Sequence, residues 1–322
     1  MKIKKLLIIL IFMFLAISIR TGWSEVSKAL SELTASTIFI LITFQMITTV
    51  LISLQWQSLF KSSELDKPDF PTILEVNFAA TFIESITPSS KLGGESAKVY
   101  LFHNLTENKA SEIVAAVTIQ KAATFIPFLL ISLPLLTYLP YSYSELFNFN
   151  YGVSRIFLII LLIIFIYIFL KFSKKNNFIK NKIIGLKKSL NDVLRTIKDI
   201  LTIPRFLYLS LFALVFWLLY PVKTYILSNH LSFDIGFLPI VAATFLAYLV
   251  GTLPLTPGGL GSFEATFALV LSQQGISFAE GLTIALLLRL ITFWFPLLLS
   301  ALVSIKLTNK LDLSFMNRQQ EV

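Results

Sequence analysis

Long stretches without a formal charge dominate this chain. Four of them, at 6–19, 38–60, 206–222 and 235–263, each run for 14 or more residues without Asp, Glu, Lys or Arg. About 20 apolar residues span the ~30 Å hydrocarbon core of a bilayer. Only 14% of the 322 residues are charged, against roughly 25% in soluble proteins. The sequence therefore predicts an all-α polytopic membrane protein with a single transmembrane domain over 1–322.

Positive charge is concentrated in one segment between two apolar runs. Residues 171–205 contain ten Lys or Arg and two Asp, which gives +8 of the net charge of +9. Such an excess is typical of cytoplasmic loops that lie near anionic lipid. We therefore expect this loop and the N-terminus on the cytoplasmic side of an inner or plasma membrane. Nucleic acid is not expected as a partner.

This orientation constrains the path of the remaining chain. We predict about six spanning helices, at about 6–20, 35–58, 112–138, 154–170, 206–228 and 278–306. Two apolar pieces, 72–105 and 236–273, are left over. They are expected to form re-entrant helical hairpins that enter and leave the membrane on one side.

The two hairpin segments resemble each other. The first reads AATFIESITPSSKLGGESAKV from Ala79, and the second reads AATFLAYLVGTLPLTPGGLGSFEATF from Ala242. A cation follows the glutamate of each copy, Lys121 after 26 residues and Arg289 after 25. A constant offset of 169 residues relates three pairs: Pro88 and Pro257, Glu95 and Glu264, and Pro127 and Pro296.

We interpret this similarity as an internal duplication. Repeat 1 covers about 35–138 and repeat 2 about 206–306, with the basic segment 171–205 as the linker. The predicted path brings the first hairpin in from the cytoplasm and the second from outside, so the repeat is inverted. Secondary transporters often have this plan, with the substrate site at the repeat interface.

Proline, glycine and glutamate occur together in both hairpins. Non-helical backbone at membrane depth must be buried in protein or line a wet cavity. Glycine lets a ligand approach the backbone, and helix N-termini attract phosphate. We therefore expect a headgroup site at Pro88, Gly93, Gly94, Glu95 and Lys121, and at Pro257, Gly258, Gly259, Gly261, Glu264 and Arg289. The alternative is that the glycines only let broken helices pack closely.

Charges inside a membrane are usually paired, so Lys121 and Arg289 are the predicted partners of the two glutamates. Either each pair is static and fixes its hairpin, or it opens during transport and the cation binds lipid phosphate. Glu84 either lines the same cavity or lies at the membrane interface. Lys223 is expected to extend to the membrane surface.

Several classes of site are not expected. The chain has no cysteine, and its two histidines, His103 and His230, are far apart in sequence. We therefore predict no metal and no cofactor. No catalytic motif is evident, so a transporter is favoured over an enzyme and no catalytic residue is proposed.

The stretch PGGLGSFEATFALVLSQQGISFAEGLTIALLLRLITFWFP resembles the lysylphosphatidylglycerol synthase transmembrane-region family. The family pattern P-G-G-x-G-x-F/E, then Arg and Pro, is matched by Pro257, Gly258, Gly259, Gly261, Glu264, Arg289 and Pro296. An earlier pattern, P-x(4–5)-G-G-E and a basic residue, is matched by Pro88, Gly93, Gly94, Glu95 and Lys98. A Glu-Arg pair common in the family is Gln120-Lys121 here.

The resemblance implies a flippase-like domain, here a stand-alone member without the aminoacyl-transferase domain. Its implied ligands are membrane lipids with an anionic headgroup or a polyprenyl phosphate, and a partner synthase is a further candidate. Synthesis of lysylphosphatidylglycerol is not expected. The alternative is an accessory or membrane-embedded transferase component of glycolipid or cell-envelope biosynthesis.

Overall fold

The computed structural model describes residues 23–61, 65–87, 91–147, 192–197, 199–253 and 256–320. Within these ranges the chain is helical and contains no strand. Four sequence predictions lie outside the described residues: the helices at 6–20 and 154–170, Pro88, and the 171–191 part of the basic loop.

The first half of the chain places two short helices between two long ones. A preceding helix, α1, covers Trp23–Glu32. The long helices are α2 (Ala35–Lys61) and α5 (Ala110–Phe147), and the short ones are α3 (Phe70–Ile86) and α4 (Lys91–Leu105).

The second half repeats this order of long and short helices. Its last long helix is divided by a π-helix, and its two short helices are joined through a 3₁₀ turn. The elements are α6 (Ile203–His230), α7 (Phe237–Gly251), the 3₁₀ turn (Pro257–Gly259), α8 (Ser262–Ser272), α9 (Phe278–Arg289), the π-helix (Leu290–Trp294) and α10 (Phe295–Gln320).

Four described segments are long and apolar enough to cross a membrane: Ala35–Lys61, Ala110–Leu136, Ile203–His230 and Phe278–Leu307. They coincide with four of the predicted spans. Helices α7 and α8 are apolar but shorter. The prediction of an all-α multi-pass membrane protein is confirmed. The total number of spans and the re-entrant insertion of the hairpins stay predictions.

Helices α2 and α6, which hold equivalent positions in the two halves, are antiparallel. Thr37 near the start of α2 contacts His230 at the end of α6, with 3.1 Å between Oγ1 and Nδ1. Near the other end of α2, Nε2 of Gln55 donates to the backbone oxygen of Leu209 over 2.8 Å. An inverted repeat requires this opposite direction. The duplication itself stays a prediction.

Crossed packing joins the two halves. Helix α3 of the first half packs on α10 of the second, and α7 of the second half packs on α5 of the first. A buried apolar cluster surrounds each hairpin, with Trp56, Phe60 and Phe102 in the first and Phe263 and Phe267 in the second. Because each hairpin rests on a helix of the other half, the space between the hairpins is shared by both.

Candidate functional site

A cavity of about 270 Å³, lined by apolar, polar and charged residues, lies between the two halves. Of the residues that the structure describes, each half contributes twelve to its wall. The first half contributes Gln45, Thr49, Ile52, Asn77, Phe78, Thr81, Glu84, Ser85, Lys98, Gln120, Lys121 and Thr124. The second half contributes Phe216, Trp217, Tyr220, Tyr248, Gly251, Thr252, Gly258, Phe263, Arg289, Thr292, Phe293 and Pro296.

The turn between α7 and α8 has the break in helical structure that the sequence predicts. Gly258 and Gly259 have φ angles of 61° and 69°, in the left-handed region. A Cβ atom on Gly259 would lie 2.8 Å from the backbone oxygen of Gly251, and one on Gly258 would lie 2.5 Å from Cε2 of Phe293. Both positions therefore need glycine for its backbone conformation and for its lack of a side chain.

Glu264 and Arg289 form a buried ion pair beside this turn. Nε of Arg289 donates to Oε1 of Glu264 over 3.0 Å, and Nη2 donates to the backbone oxygen of Gly258 over 2.5 Å. Oε2 of Glu264 accepts from the backbone nitrogen of Gly261 over 2.6 Å. The carboxylate thus occupies the N-terminus of α8, where the sequence suggested an open phosphate site.

The first hairpin uses its glutamate differently. Oε1 of Glu95 lies 2.6 Å from Nζ of Lys121 and 3.2 Å from Nζ of Lys98. Oε2 of Glu95 is buried without a hydrogen bond within the described part of the chain. A single carboxylate oxygen therefore forms ion pairs with two cations. The pairing of Lys121 with Glu95 is present as predicted, and Lys98 is added to it.

Gly93 and Gly94 lie inside the first turn of α4, in helical backbone, whereas the site predicted from the sequence assumed non-helical backbone. A Cβ atom on Gly94 would lie 2.8 Å from Cβ of Glu84, and one on Gly93 would overlap Thr87. Close packing of α4 against the end of α3 is thus the role that the structure shows for them. Pro88 is not among the described residues.

The structure also places two further charged residues. The sequence left the position of Glu84 open and gave a wrong position for Lys223. Glu84 lines the cavity, and its carboxylate has no ion pair or hydrogen bond to the described residues, whereas its backbone oxygen accepts from Oγ1 of Thr87 over 3.5 Å. The expectation that Lys223 extends to the membrane surface is wrong, because its side chain is fully buried. Its Nζ donates to Oε1 of Gln45 over 2.6 Å and lies 4.1 Å from the ring centroid of Tyr220.

Lys223 therefore supports two cavity-lining residues from behind. Its partners, Gln45 and Tyr220, both belong to the wall of the cavity. Pro221 lies two residues before Lys223, inside α6, which continues to His230 much as the predicted span at about 206–228 does. An uncharged polar residue such as Gln45 gives no sequence signal that it will meet a cation 178 positions away.

The π-helix accounts for a one-residue mismatch between the two copies. Six positions separate Lys121 from Pro127, and seven separate Arg289 from Pro296. The extra residue falls where Leu290–Trp294 is π-helical, and π-helical turns contain one residue more per hydrogen-bonded loop. As a result, Arg289 faces Glu264 while Pro296 keeps its place in the cavity wall.

The predicted site residues divide into three groups. Lys98, Lys121, Gly258 and Arg289 line the cavity. Glu95 and Glu264 are bonded to those cations. The other predicted glycines and Pro257 belong to the backbone of the hairpins, and Pro88 is outside the described residues. Over the described ranges, no group of three or more His, Cys, Asp or Glu side chains is arranged to hold a metal ion.

Comparisons with known proteins give the same family along the length of the chain. A UPF0104 membrane protein of Pyrococcus horikoshii is 25% identical, with 94% of this chain and 97% of the relative aligned. One from Methanocaldococcus jannaschii is 24% identical over 97% and 98% of the two chains. One from Methanothermobacter thermautotrophicus is 22% identical over 85% and 86%. Residues 3–300 match the family described as the lysylphosphatidylglycerol synthase TM region, and the chain belongs to that family.

Proposed function

We propose that this protein moves anionic lipid headgroups between the leaflets of the inner or plasma membrane. The candidate lipids are anionic phospholipids and polyprenyl-phosphate-linked glycolipids. The observation that carries the proposal is the convergence of Lys98, Lys121 and Arg289 on one cavity between two halves whose first long helices, α2 and α6, are antiparallel. Transporters with inverted repeats bind their substrates at such an interface.

Charge balance around the cavity limits how an anion can bind. Three cations (Lys98, Lys121 and Arg289) face one carboxylate within the cavity wall, and two further carboxylates stand behind them. The set is formally neutral when no ligand is bound. An anionic headgroup therefore has to draw one cation away from its carboxylate.

Lys121 is the cation best suited to this exchange. Its side chain is 36% exposed, whereas those of Lys98 and Arg289 are 9% and 6% exposed. When Lys121 turns to a phosphate, Lys98 stays beside Oε1 of Glu95, so the buried carboxylate keeps a partner. The cost of leaving an unpaired buried charge is thereby avoided.

Arg289 has a different role in the proposed mechanism. Nε and Nη2 are bonded within the hairpin, and the guanidinium lies 4.3 Å from the ring centroid of Phe293 and 4.9 Å from that of Phe263. The hydrogen bonds of this guanidinium to the described residues use Nε and Nη2, which leaves Nη1. In our proposal Arg289 stays in place and offers this remaining donor to the phosphate.

The family description favours a lipid ligand over a soluble one. It names lysylphosphatidylglycerol synthase, and phosphatidylglycerol is an anionic phospholipid. The names of the three relatives identify them only as membrane proteins. The choice between a phospholipid and a polyprenyl-phosphate lipid therefore depends on experiment.

Leaflet exchange in proteoliposomes tests the proposal. Purified protein is reconstituted with a trace of fluorescent phosphatidylglycerol, and dithionite reports the fraction that has changed leaflet. We expect exchange without an added donor, and a rate at least about tenfold lower for Lys121→Gln, which corresponds to about 1.4 kcal/mol in the barrier.

Lys306→Gln is the matched control. Lys306 pairs with Glu75 at 2.9 Å but is 76% exposed and does not line the cavity. The control should exchange lipid at the wild-type rate. Equal exchange rates for the wild type, Lys121→Gln and Lys306→Gln would contradict the proposal. So would a wild-type protein that exchanges neither phosphatidylglycerol nor a polyprenyl-phosphate lipid. Activity that appears only with an activated donor supports the transferase alternative.

A further inference from the structure

Two amide side chains of the cavity wall have oxygens without a hydrogen-bond partner in the described part of the chain. They are Oδ1 of Asn77 and Oε1 of Gln120. The two residues are only 5% and 3% exposed. A buried polar atom without a partner costs about 1–3 kcal/mol. Both oxygens are themselves buried, so a hydroxyl donor in the cavity would bond to them after a small movement of the two amides.

The surrounding hydrogen bonds determine that the free atom of Gln120 is an acceptor. Nε2 of Gln55 donates to the backbone oxygen of Leu209 over 2.8 Å, and a carbonyl oxygen can only accept. Oε1 of Gln55 is therefore the acceptor for Nε2 of Gln120, over 2.7 Å. This leaves Oε1 of Gln120 as the atom without a partner.

The same argument applies to Asn77. Oγ of Ser53 donates to the backbone oxygen of Thr49 over 3.0 Å. It therefore accepts from Nδ2 of Asn77 over 3.0 Å. Oδ1 of Asn77 is then the atom without a hydrogen-bond partner in the described part of the chain. Both hydrogen-bond chains end on backbone carbonyl groups, so neither amide can reverse without breaking its chain.

These acceptors cannot bind phosphate, because an ionised phosphodiester has acceptors and no donor. Hydroxyl groups are donors and suit them. Glu84 adds a carboxylate acceptor to the same wall, while Trp217 and Tyr220 provide flat faces for the C–H side of a polyol. The cavity thus combines cations for a phosphate with acceptors for hydroxyl groups.

We propose that Asn77 and Gln120 form a subsite for the hydroxyl-bearing part of the headgroup, a polyol joined to the phosphate. The polyol is either an open-chain glycerol or a sugar-like ring. The inference rests on the proposed function, since it assumes that a lipid headgroup enters this cavity. It goes further by stating that hydroxyl groups determine which anionic lipid is preferred.

Three lipids with identical acyl chains and one negative charge each test the subsite. Phosphatidylmethanol has no headgroup hydroxyl, phosphatidylglycerol has an open-chain polyol, and phosphatidylinositol has a cyclic one. Binding of each to purified protein in detergent is measured by intrinsic tryptophan fluorescence. We expect the better of the two polyol lipids to bind about tenfold more tightly than phosphatidylmethanol, as one or two hydrogen bonds would give. Which one binds better identifies the polyol.

Variants assign the preference to the two amides. Gln120→Met and Asn77→Leu should lose the preference and bind all three lipids with equal affinity, and thermal unfolding in detergent checks that both variants are folded. Asn77→Asp keeps an acceptor and should keep the preference. The subsite is overturned if the wild type binds all three lipids with equal affinity. It is also overturned if the variants lose affinity for all three lipids by the same factor.

The same binding measurements distinguish a failure of the subsite from a failure of the proposed function. If phosphatidylmethanol binds and Lys121→Gln lowers its affinity, the anion site is supported, even when the lipids with hydroxyl groups bind no better. If none of the three lipids binds, the proposed function is wrong for phospholipids and the subsite is overturned with it.

Discussion

Nε of Arg289 donates to Oε1 of Glu264 over 3.0 Å, and both side chains are almost completely buried. The same carboxylate also accepts from the backbone nitrogen of Gly261. In the first half, the equivalent Glu95 holds Lys98 and Lys121 with a single oxygen. The two glutamates are 169 positions apart in similar motifs, yet one is saturated with partners and the other is not.

Neutralising these glutamates should have different consequences. Glu264→Gln leaves the buried Arg289 uncompensated and weakens the start of α8, so we expect a loss of about 3–5 kcal/mol in stability. Glu95→Gln should cost less, because Lys121 can turn to the cavity and Lys98, unlike an arginine, can release its proton. Thermal unfolding in detergent, followed through the four tryptophans, measures both. Equal losses in the two variants would contradict the difference in roles.

Replacing the buried pair as a whole should restore the fold and not the function. In Glu264→Leu/Arg289→Met both charges are removed together, so no unpaired charge is left. We expect the double variant to unfold at a higher temperature than Glu264→Gln, with lipid exchange still lost. Recovery of exchange together with stability would show that Arg289 does not contact the substrate.

Gly259 should tolerate a methyl group less well than another glycine of similar backbone conformation. Gly259 and Gly275 have φ angles of 69° and 80°, but only at Gly259 would a Cβ atom meet backbone, at Gly251. The left-handed conformation destabilises each alanine variant by about 1–2 kcal/mol, and the overlap destabilises Gly259→Ala by about 1–3 kcal/mol more. Equal melting temperatures for the two variants would refute the close approach.

The opposite orientation of the two halves can be tested by labelling, since the chain has no native cysteine. Glu107, in the loop between α4 and α5, and Gln274, in the loop between α8 and α9, occupy equivalent exposed positions. We expect an impermeant thiol reagent to label Glu107→Cys from the cytoplasmic side and Gln274→Cys from the other side. Labelling of both from one side would rule out the inverted arrangement.

The sequence by itself determined the properties that depend on local composition. Uncharged runs such as 38–60 predict membrane spans because the cost of burying polar groups in hydrocarbon applies to each segment separately. The pairing of Glu264 with Arg289 was also predictable, because a charge within such a run requires a partner and few candidates exist. The break in the helix at Pro257 followed from backbone chemistry.

Only the tertiary structure decided what each charged or polar group contacts. Lys223 lies at the end of an apolar run, as a residue at the membrane surface would, but α2 covers it and supplies Gln45. The acceptors of Asn77 and Gln120 are likewise defined by hydrogen bonds to residues on α2. Such contacts join residues that are remote in sequence. Their energies depend on the geometry of packed helices, which no local pattern of residues contains.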